Sequence, residues 1–219
     1  KDGYPLYSGF SGGLSLLQIV PLDLQQVEVI KGASSTLYGG GAIAGLVNLI
    51  SIKPSEERKL NFLINGTSAL GLDLSGFYAE KFKKWGTTVF ASYNLGSPYD
   101  PADIGLSAIP KFRRYTINPR FYYYFNDRST LDLGVNTVVE ERTGGNIDYI
   151  EGNAVQNPYY ERNNTERITT RAGFKHEFLD GSFLSLKNSL SFFQRKIEVP
   201  NYVFSGNQFA SYNEASYNF

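Results

Sequence analysis

The chain has 219 residues, and its 21 Lys and Arg residues balance its 21 Asp and Glu residues. Because the formal net charge is zero, the composition argues against nucleic acid or another polyanion as a partner. The absence of Cys excludes disulfides and thiolate metal sites, and the single His, His176, argues against a His-based metal centre or catalytic triad. We therefore expect neither an enzyme nor a bound metal or cofactor.

The apolar residues form short runs. The longest apolar run, 42–50, contains Gly45 and Asn48 and falls well short of the ~20 residues that a membrane-spanning helix needs. Aromatic content is high, with 16 Tyr and 16 Phe, and these residues share strand-like stretches with Asn, Ser, Thr and Gly. A chain of this kind would enter a membrane only as β-strands.

The first 54 residues are predicted to form a loop, a strand, a glycine-rich turn and a second strand. Residues 27–31 and 46–52 carry the β-branched residues typical of strands, and five glycines lie between them. The segment after Pro54 is charged and marks a domain boundary. The start of the chain has no targeting sequence, so we expect a piece of a longer protein.

From Arg58 onward, apolar and polar residues alternate with a period of two, which is typical of β-strands with two different faces. We predict seven strands, with an eighth that begins near Tyr212. The seven segments are 60–65, 72–78, 88–95, 115–125, 131–140, 168–178 and 184–192.

Such alternation fits either a soluble antiparallel sandwich or a transmembrane barrel. The segments reach about 10 residues, the length that crosses a bilayer at a tilt, whereas soluble strands average about 5–6. Tyr and Phe gather near strand ends, as in interfacial girdles. Tight turns at 83–85, 126–129 and 179–182 alternate with long polar connections at 97–112, 143–166 and 197–211. This alternation of short and long connections favours the barrel.

The stretch VEVIKGASSTLYGGGAIAGLVNLIS resembles the end of the plug domain of TonB-dependent outer-membrane receptors. Ala33 stands where that family often has Pro, and Lys31 stands where Arg is common. Lys31 cannot copy a bidentate Arg contact. The matching positions are Glu28, Gly32, Ser35, Leu37, Tyr38, Gly39, Gly41, Ala42, Ile43, Gly45, Val47 and Asn48.

The resemblance implies an all-β membrane protein, a fragment of a 22-stranded antiparallel transmembrane β-barrel with an N-terminal plug domain. Residues 1–54 would be the C-terminal part of the plug, and residues 55–219 the first seven to eight barrel strands with their extracellular loops. A closed eight-stranded barrel ending at Phe219 is the rival. Its interior would be filled by its own side chains, with no room for a plug.

The resemblance also implies a function, namely TonB-dependent active transport of a scarce ligand across the outer membrane of a Gram-negative bacterium. The ligand would be of the siderophore, haem, cobalamin, glycan or peptide class. Expected partners are the TonB energy-coupling complex (through a missing N-terminal segment), outer-membrane lipid, the ligand and a surface lipoprotein, with no nucleic acid. The alternative is a non-transporting outer-membrane barrel that acts in adhesion or as a structural part of a surface complex.

Two groups of residues are candidates for the site. Aromatic and hydroxyl side chains of the plug apex and outer loops suit stacking on a ligand, although loop tyrosines equally often pack loops together. The ligand-binding candidates are Tyr7, Ser8, Phe10, Ser11, Tyr99, Tyr149, Tyr159, Tyr160, Tyr202 and Phe204. The candidates for contacts between plug and barrel are Glu28, Lys31, Arg120 and Arg171.

Overall fold

The protein was analysed as a computed structural model, which describes residues 1–6, 21–32 and 45–219. Two antiparallel strands belong to the N-terminal segment, β1 (Leu24–Lys31) and β2 (Gly45–Ser51). Eight more strands form one antiparallel sheet, called the wall below, in which each strand pairs with the next along the chain. They are β3 (Lys59–Gly66), β4 (Leu72–Phe82), β5 (Trp85–Gly96), β6 (Lys111–Asn126), β7 (Ser129–Gly145), β8 (Tyr160–Glu177), β9 (Phe183–Val199) and β10 (Tyr202–Asn218).

The predicted all-β antiparallel fold is confirmed. The short helix α1 (Ile147–Glu151) interrupts the connection between β7 and β8, and the side chain of Asn146 caps it by accepting the N–H of Tyr149. Within the described ranges, no helix combines the length and the apolar character needed to cross a membrane.

The two faces of the wall have the reverse of the usual polarity. On β6, the polar residues Arg114, Thr116 and Arg120 are buried, whereas Tyr115 and Ile117 are 54% and 49% exposed. The same pattern holds on the neighbouring strands, where the outward apolar residues include Phe62, Ile64, Leu74, Leu133, Val135, Val139, Ile168, Leu186, Leu190, Phe192 and Phe209. A soluble sandwich would bury its apolar face, so this arrangement is that of a barrel wall with lipid outside and polar groups inside.

Aromatic rings lie near both ends of this apolar face. Near the tight turns, the ring of Trp85 lies 4.4 Å from that of Tyr123 and 4.8 Å from that of Phe121. Near the other end, the rings of Tyr93 and Tyr115 lie 4.9 Å apart. The strand between Tyr115 and Tyr123 rises roughly 27 Å, and a tilt of about 40° shortens this to about 20 Å, close to the ~25 Å apolar band of outer-membrane barrels.

Two long connections, 97–110 and 146–159, lie at the end of the wall opposite the tight turns, as predicted. The prediction of a third, at 197–211, was wrong. β9 and β10 are joined by only Pro200 and Asn201, and β10 begins at Tyr202, not near Tyr212. Asn201 adopts the left-handed conformation (φ 65°) that Asn tolerates in tight turns. The polar residues after it form a strand because they pair along β9.

The predicted long connection at 143–166 is also shorter than expected. β7 continues to Gly145 and β8 already begins at Tyr160, and the two strands remain in register to their ends, where Gly145 pairs with Tyr160. These strand ends are polar and continue beyond the apolar band. The end of the apolar alternation in the sequence therefore did not coincide with the end of the strand.

The N-terminal segment meets the inner face of the wall through a small apolar cluster. Phe77 and Phe90 are almost fully buried there, and Leu22 and Ile52 pack against them. At the crossing into the wall, Pro54 lies against Gly86, where an added Cβ would be 2.8 Å from the Pro54 Cγ. A side chain at Gly86 would therefore displace the connection between the two sheets.

Candidate functional site

Two arginines of the inner face converge over a glycine. Arg120 on β6 pairs with Gly134 on β7, and Gly134 pairs with Arg171 on β8. A Cβ at Gly134 would lie 3.0 Å from the Cγ atoms of both arginines. The missing side chain therefore lets two long side chains from non-adjacent strands meet.

Two carboxylates neutralise this arginine pair. Asp2 Oδ2 accepts hydrogen bonds from Arg120 Nη1 at 3.1 Å and Arg171 Nη1 at 2.8 Å. Asp132 Oδ2, on β7, accepts from Arg120 Nη2 at 3.2 Å and Arg171 Nη2 at 3.3 Å. Arg120 is only 4% exposed. We call Asp2, Arg120, Asp132 and Arg171 the four-charge cluster; it has no net charge, as burial of ions requires.

Asp2 connects the cluster to the N-terminal segment. Its carboxylate accepts the Ser51 N–H and the Ser51 hydroxyl, both at 2.8 Å, and its own N–H donates to the Leu49 carbonyl. Burial alone would raise the pKa of Asp2, but Arg120 and Arg171, together with the Ser51 N–H, hold that pKa well below its usual value. Asp2 therefore stays ionised and joins β2 to β6 and β8.

Tyr4 makes a second contact beside the cluster. Its hydroxyl donates to the Ala172 carbonyl of β8 at 2.9 Å, and the Arg171 guanidinium lies 4.7 Å from its ring centre. A Cβ at Gly173 would lie 2.9 Å from the Tyr4 hydroxyl oxygen and 2.9 Å from Asp132 Oδ1. Burial, followed by the charge of Asp132, raises the pKa of Tyr4 to about 12. Tyr4 therefore remains a neutral hydrogen-bond donor.

Asp23 makes a third polar contact between the same two parts. Its Oδ2 accepts from Lys1 Nζ at 2.5 Å and from Asn118 Nδ2 of β6 at 3.1 Å. Together with Asp2 and Tyr4, it adds polar attachments to the apolar contact of Leu22 and Ile52 with the wall. Water can solvate these polar groups when the parts separate.

A second buried ion cluster lies nearer the long connections. Glu140 is 1% exposed and pairs with Arg114 Nε at 2.5 Å and Arg142 Nη2 at 3.0 Å. These three residues come from β6 and β7, so their ion pairs brace the wall at this level.

The four residues predicted to join plug and barrel have different positions. Arg120 and Arg171 do contact the N-terminal segment, but through Asp2. Glu28 accepts a hydrogen bond from Asn48 Nδ2 at 3.0 Å within the β1–β2 pair, and Lys31 is exposed at the end of β1. A sequence signal for Asp2 was absent, because its partners on the wall, Arg120 and Arg171, lie more than a hundred positions away.

The ligand-binding candidates that the structure describes do not all face the same side of the wall. The ring centres of Tyr149 and Tyr160 lie 4.6 Å apart, and the two rings stack. Tyr160 is on the same face of β8 as Ile168, which is the outward face. Tyr202 and Phe204 instead share the inward alternation of β10. The remaining loop candidates, Tyr99 and Tyr159, are exposed, and the plug candidates Tyr7, Ser8, Phe10 and Ser11 lie outside the described residues.

Across residues 1–6, 21–32 and 45–219, no group of three or more His, Asp or Glu side chains is placed to hold a metal ion. The four-charge cluster joins the N-terminal segment to the wall through ion pairs and hydrogen bonds.

A wall with an apolar outer face, and a separate segment bound by polar contacts to its inner face, define a plugged transmembrane β-barrel. Residues 1–46 match the family model described as TonB-dependent Receptor Plug Domain. Residues 1–46 are therefore similar to the plug domain of TonB-dependent receptors, and the strands of the wall follow them in the chain. The resemblance identified from residues 27–51 is confirmed.

Several individual proteins are similar to parts of this chain. The ferric aerobactin receptor of Klebsiella pneumoniae is 39% identical over 61 residues, which is 28% of this chain and 8% of that protein. The ferrioxamine B receptor of Salmonella typhimurium is 23% identical over 207 residues, which is 87% of this chain and 28% of that protein. The chain thus spans less than a third of the length of these relatives. A crystal structure of the ferric enterobactin receptor in complex with BCV-L6 covers 90% of this chain and 43% of its own, with 12% identity and a TM-score of 0.47.

The low pKa of Asp2 predicts how attachment of the plug depends on pH. A carboxylate whose pKa is depressed in the folded state contributes stability above its unfolded pKa, about 3.9, and loses it as the pH falls further. The intact receptor and its Asp2→Asn variant should differ in the urea concentration that releases the plug. We expect this gap to be constant from about pH 8 to pH 5. The gap should shrink below about pH 4. A gap that already closes near pH 6 would contradict this role of Asp2.

Proposed function

We propose that the whole protein is an outer-membrane receptor of a Gram-negative bacterium that imports a ferric siderophore by TonB-dependent transport, without chemical conversion of the ligand. The similarity of residues 1–46 to a TonB-dependent receptor plug domain supports the transport class. The names of several relatives, among them receptors for ferric aerobactin and for ferrioxamine B, support the siderophore class. A vitamin B12 transporter of Vibrio vulnificus, 33% identical over 58 residues, makes cobalamin the second candidate class.

The four-charge cluster is the observation that carries the proposal. It is a buried attachment between plug and wall, made by one plug carboxylate and two wall arginines. A permanent structural seal would be expected to rely on apolar area, which costs about 25 cal/mol per Å² to re-expose to water. An attachment made of ion pairs holds while buried, and water stabilises its separated charges once it opens.

In this mechanism, energy delivered by TonB acts on the plug and pulls β2 away from the wall. Because Asp2 is bound to Ser51 of β2, movement of that strand withdraws the carboxylate from Arg120 and Arg171. Asp132 remains on the wall and partly neutralises the two arginines, so the opened wall is not left with two uncompensated charges. The wall residues thus favour return of the plug after transport.

The test is uptake of iron-labelled ferric aerobactin and ferrioxamine B by cells that express the intact receptor. We expect a protonophore to reduce uptake to background while binding at the cell surface, measured on ice, stays unchanged. Uptake that survives the protonophore would contradict TonB-dependent transport. Absence of binding, with a receptor shown to be folded, would contradict the siderophore class and favour the non-transporting barrel.

A further inference from the structure

A cleft lies on the outward side of the wall, just beyond the aromatic pair Tyr93 and Tyr115. It is bounded by the strand ends of β6, β7 and β8 and by α1. Its charged and polar lining residues are Lys111, Arg113, Glu141, Thr143, Tyr149 and Arg162. None of them belongs to the four-charge cluster, and only Tyr149 is among the ligand-binding candidates.

The register of the strands places this cleft on the lipid side of the wall. Lys111 and Arg113 continue the alternation of Tyr115 on β6, whose side chain is outward and exposed. On β8, Arg162 continues the alternation of the outward Ile168. Lys111 pairs with Thr143, and Thr143 pairs with Arg162, so the two cations lie on strands either side of β7.

The position of the cleft along the strand matches that of lipid headgroups. Tyr115 belongs to the aromatic pair that ends the apolar band at the long-loop side. Arg113 lies two residues further out, about 7 Å along the strand, and Lys111 lies beyond it. Side chains at this height lie beside the polar part of the outer leaflet.

Charge in the cleft favours an anion. Three cations, Lys111, Arg113 and Arg162, face one carboxylate, Glu141, which is the register partner of Arg113. Arg162 has a further, long contact of 3.6 Å with Glu198, and its side chain remains 42% exposed. A guanidinium that is exposed and only loosely paired keeps its planar set of N–H donors available for a phosphate.

Aromatic residues hold one side of the cleft in place. Tyr149 stacks on Tyr160 with an interplanar angle of 17°, and Arg162 Nη2 donates to the Tyr149 hydroxyl at 3.5 Å. These contacts tie α1 to the wall beside the cations. A lipid headgroup bound there would contact both the wall and the 146–159 connection.

We propose that this cleft binds the phosphate of an outer-leaflet glycolipid and so fixes the 146–159 connection against the membrane surface. The inference rests on the proposed outer-membrane placement but is independent of transport and of the transported ligand. Failure of siderophore uptake would leave it unchanged.

The test uses the intact receptor, purified in an uncharged detergent and mixed with lipid A or with its dephosphorylated form. Retained lipid is measured by native mass spectrometry. We expect lipid A to be retained at least tenfold more than the dephosphorylated form. The triple variant Lys111→Gln, Arg113→Gln, Arg162→Gln should lose this preference, and Arg162→Lys should lose part of it because the planar fork is gone.

A matched control removes three cations at the other end of the wall. Lys83, Lys84 and Arg128 are exposed in tight turns, and their joint replacement by Gln should leave retention of lipid A unchanged. Heat-modifiability on a denaturing gel establishes that each variant is folded. Equal retention by the triple variant would overturn the proposal, as would competition by inorganic phosphate as effective as that by lipid A, which would indicate a site for a soluble anion.

Discussion

Asp2→Asn is expected to loosen the plug more than any other single change of charge at the four-charge cluster. The substitution keeps the shape of the side chain but removes the counter-charge that the plug supplies to Arg120 and Arg171. Breaking a buried ion pair by removing one partner costs about 3–5 kcal/mol. Asp132 remains to neutralise part of the charge, so we expect about 3 kcal/mol. The measurement is the urea concentration at which the intact receptor, in a planar bilayer, begins to conduct.

Asp127→Asn is the matched control for this change. Asp127 is an exposed carboxylate in the tight turn between β6 and β7, so its loss should leave the urea threshold unchanged. Combining Asp2→Asn with Arg171→Gln should cost less than the sum of the two single changes, because the second removes a charge that the first leaves uncompensated. Strict additivity of the two changes would contradict a direct coupling between plug and wall through these residues.

The alternation of residues was enough to predict which side chains face the lumen. On β6 and β8, Arg120 and Arg171 alternate with the outward apolar residues, and both face the inner side of the wall. Their meeting could not be predicted, since it depends on Gly134 standing between them in the register of three strands. A single sequence carries no record of such alignment between strands.

Contacts made by the plug were harder still to predict. Asp2 and Tyr4 stand in a stretch that reads as an ordinary turn, and nothing in their neighbours indicates partners on β6 and β8. Glu28 and Lys31 were chosen because they are charged residues on a plug strand, but the side chain of Glu28 instead bonds to Asn48 across the β1–β2 pair. Local pattern identifies the elements, whereas docking between them depends on three-dimensional shape.

Gly173→Val is expected to displace the plug through shape alone. A Cβ at this position would meet the Tyr4 hydroxyl and Asp132 Oδ1 at 2.9 Å each, closer than side chains tolerate. Gly173 does not have a positive φ, so the strand itself accepts a larger residue. Overpacking costs about 1–3 kcal/mol, and Val adds further bulk toward Tyr4 and also disturbs Asp132. We expect a conducting pore at a lower urea concentration, with the barrel still folded by heat-modifiability.

Gly76→Val is the control, because Gly76 lies on the outward face of β4 and its added Cβ would touch only the ring of the exposed Phe62, at 3.4 Å.

Tyr4→Phe alone should cost about 1 kcal/mol, the loss of one hydrogen bond. Gly173→Ala alone should lower the urea concentration at which the pore begins to conduct. Adding Tyr4→Phe should restore part of this loss, because Phe lacks the hydroxyl oxygen that the new Cβ would meet. Recovery would place the lost stability at the contact between Tyr4 and β8. No recovery, with Gly76→Val silent, would locate it instead at Asp132, the other atom within reach of position 173.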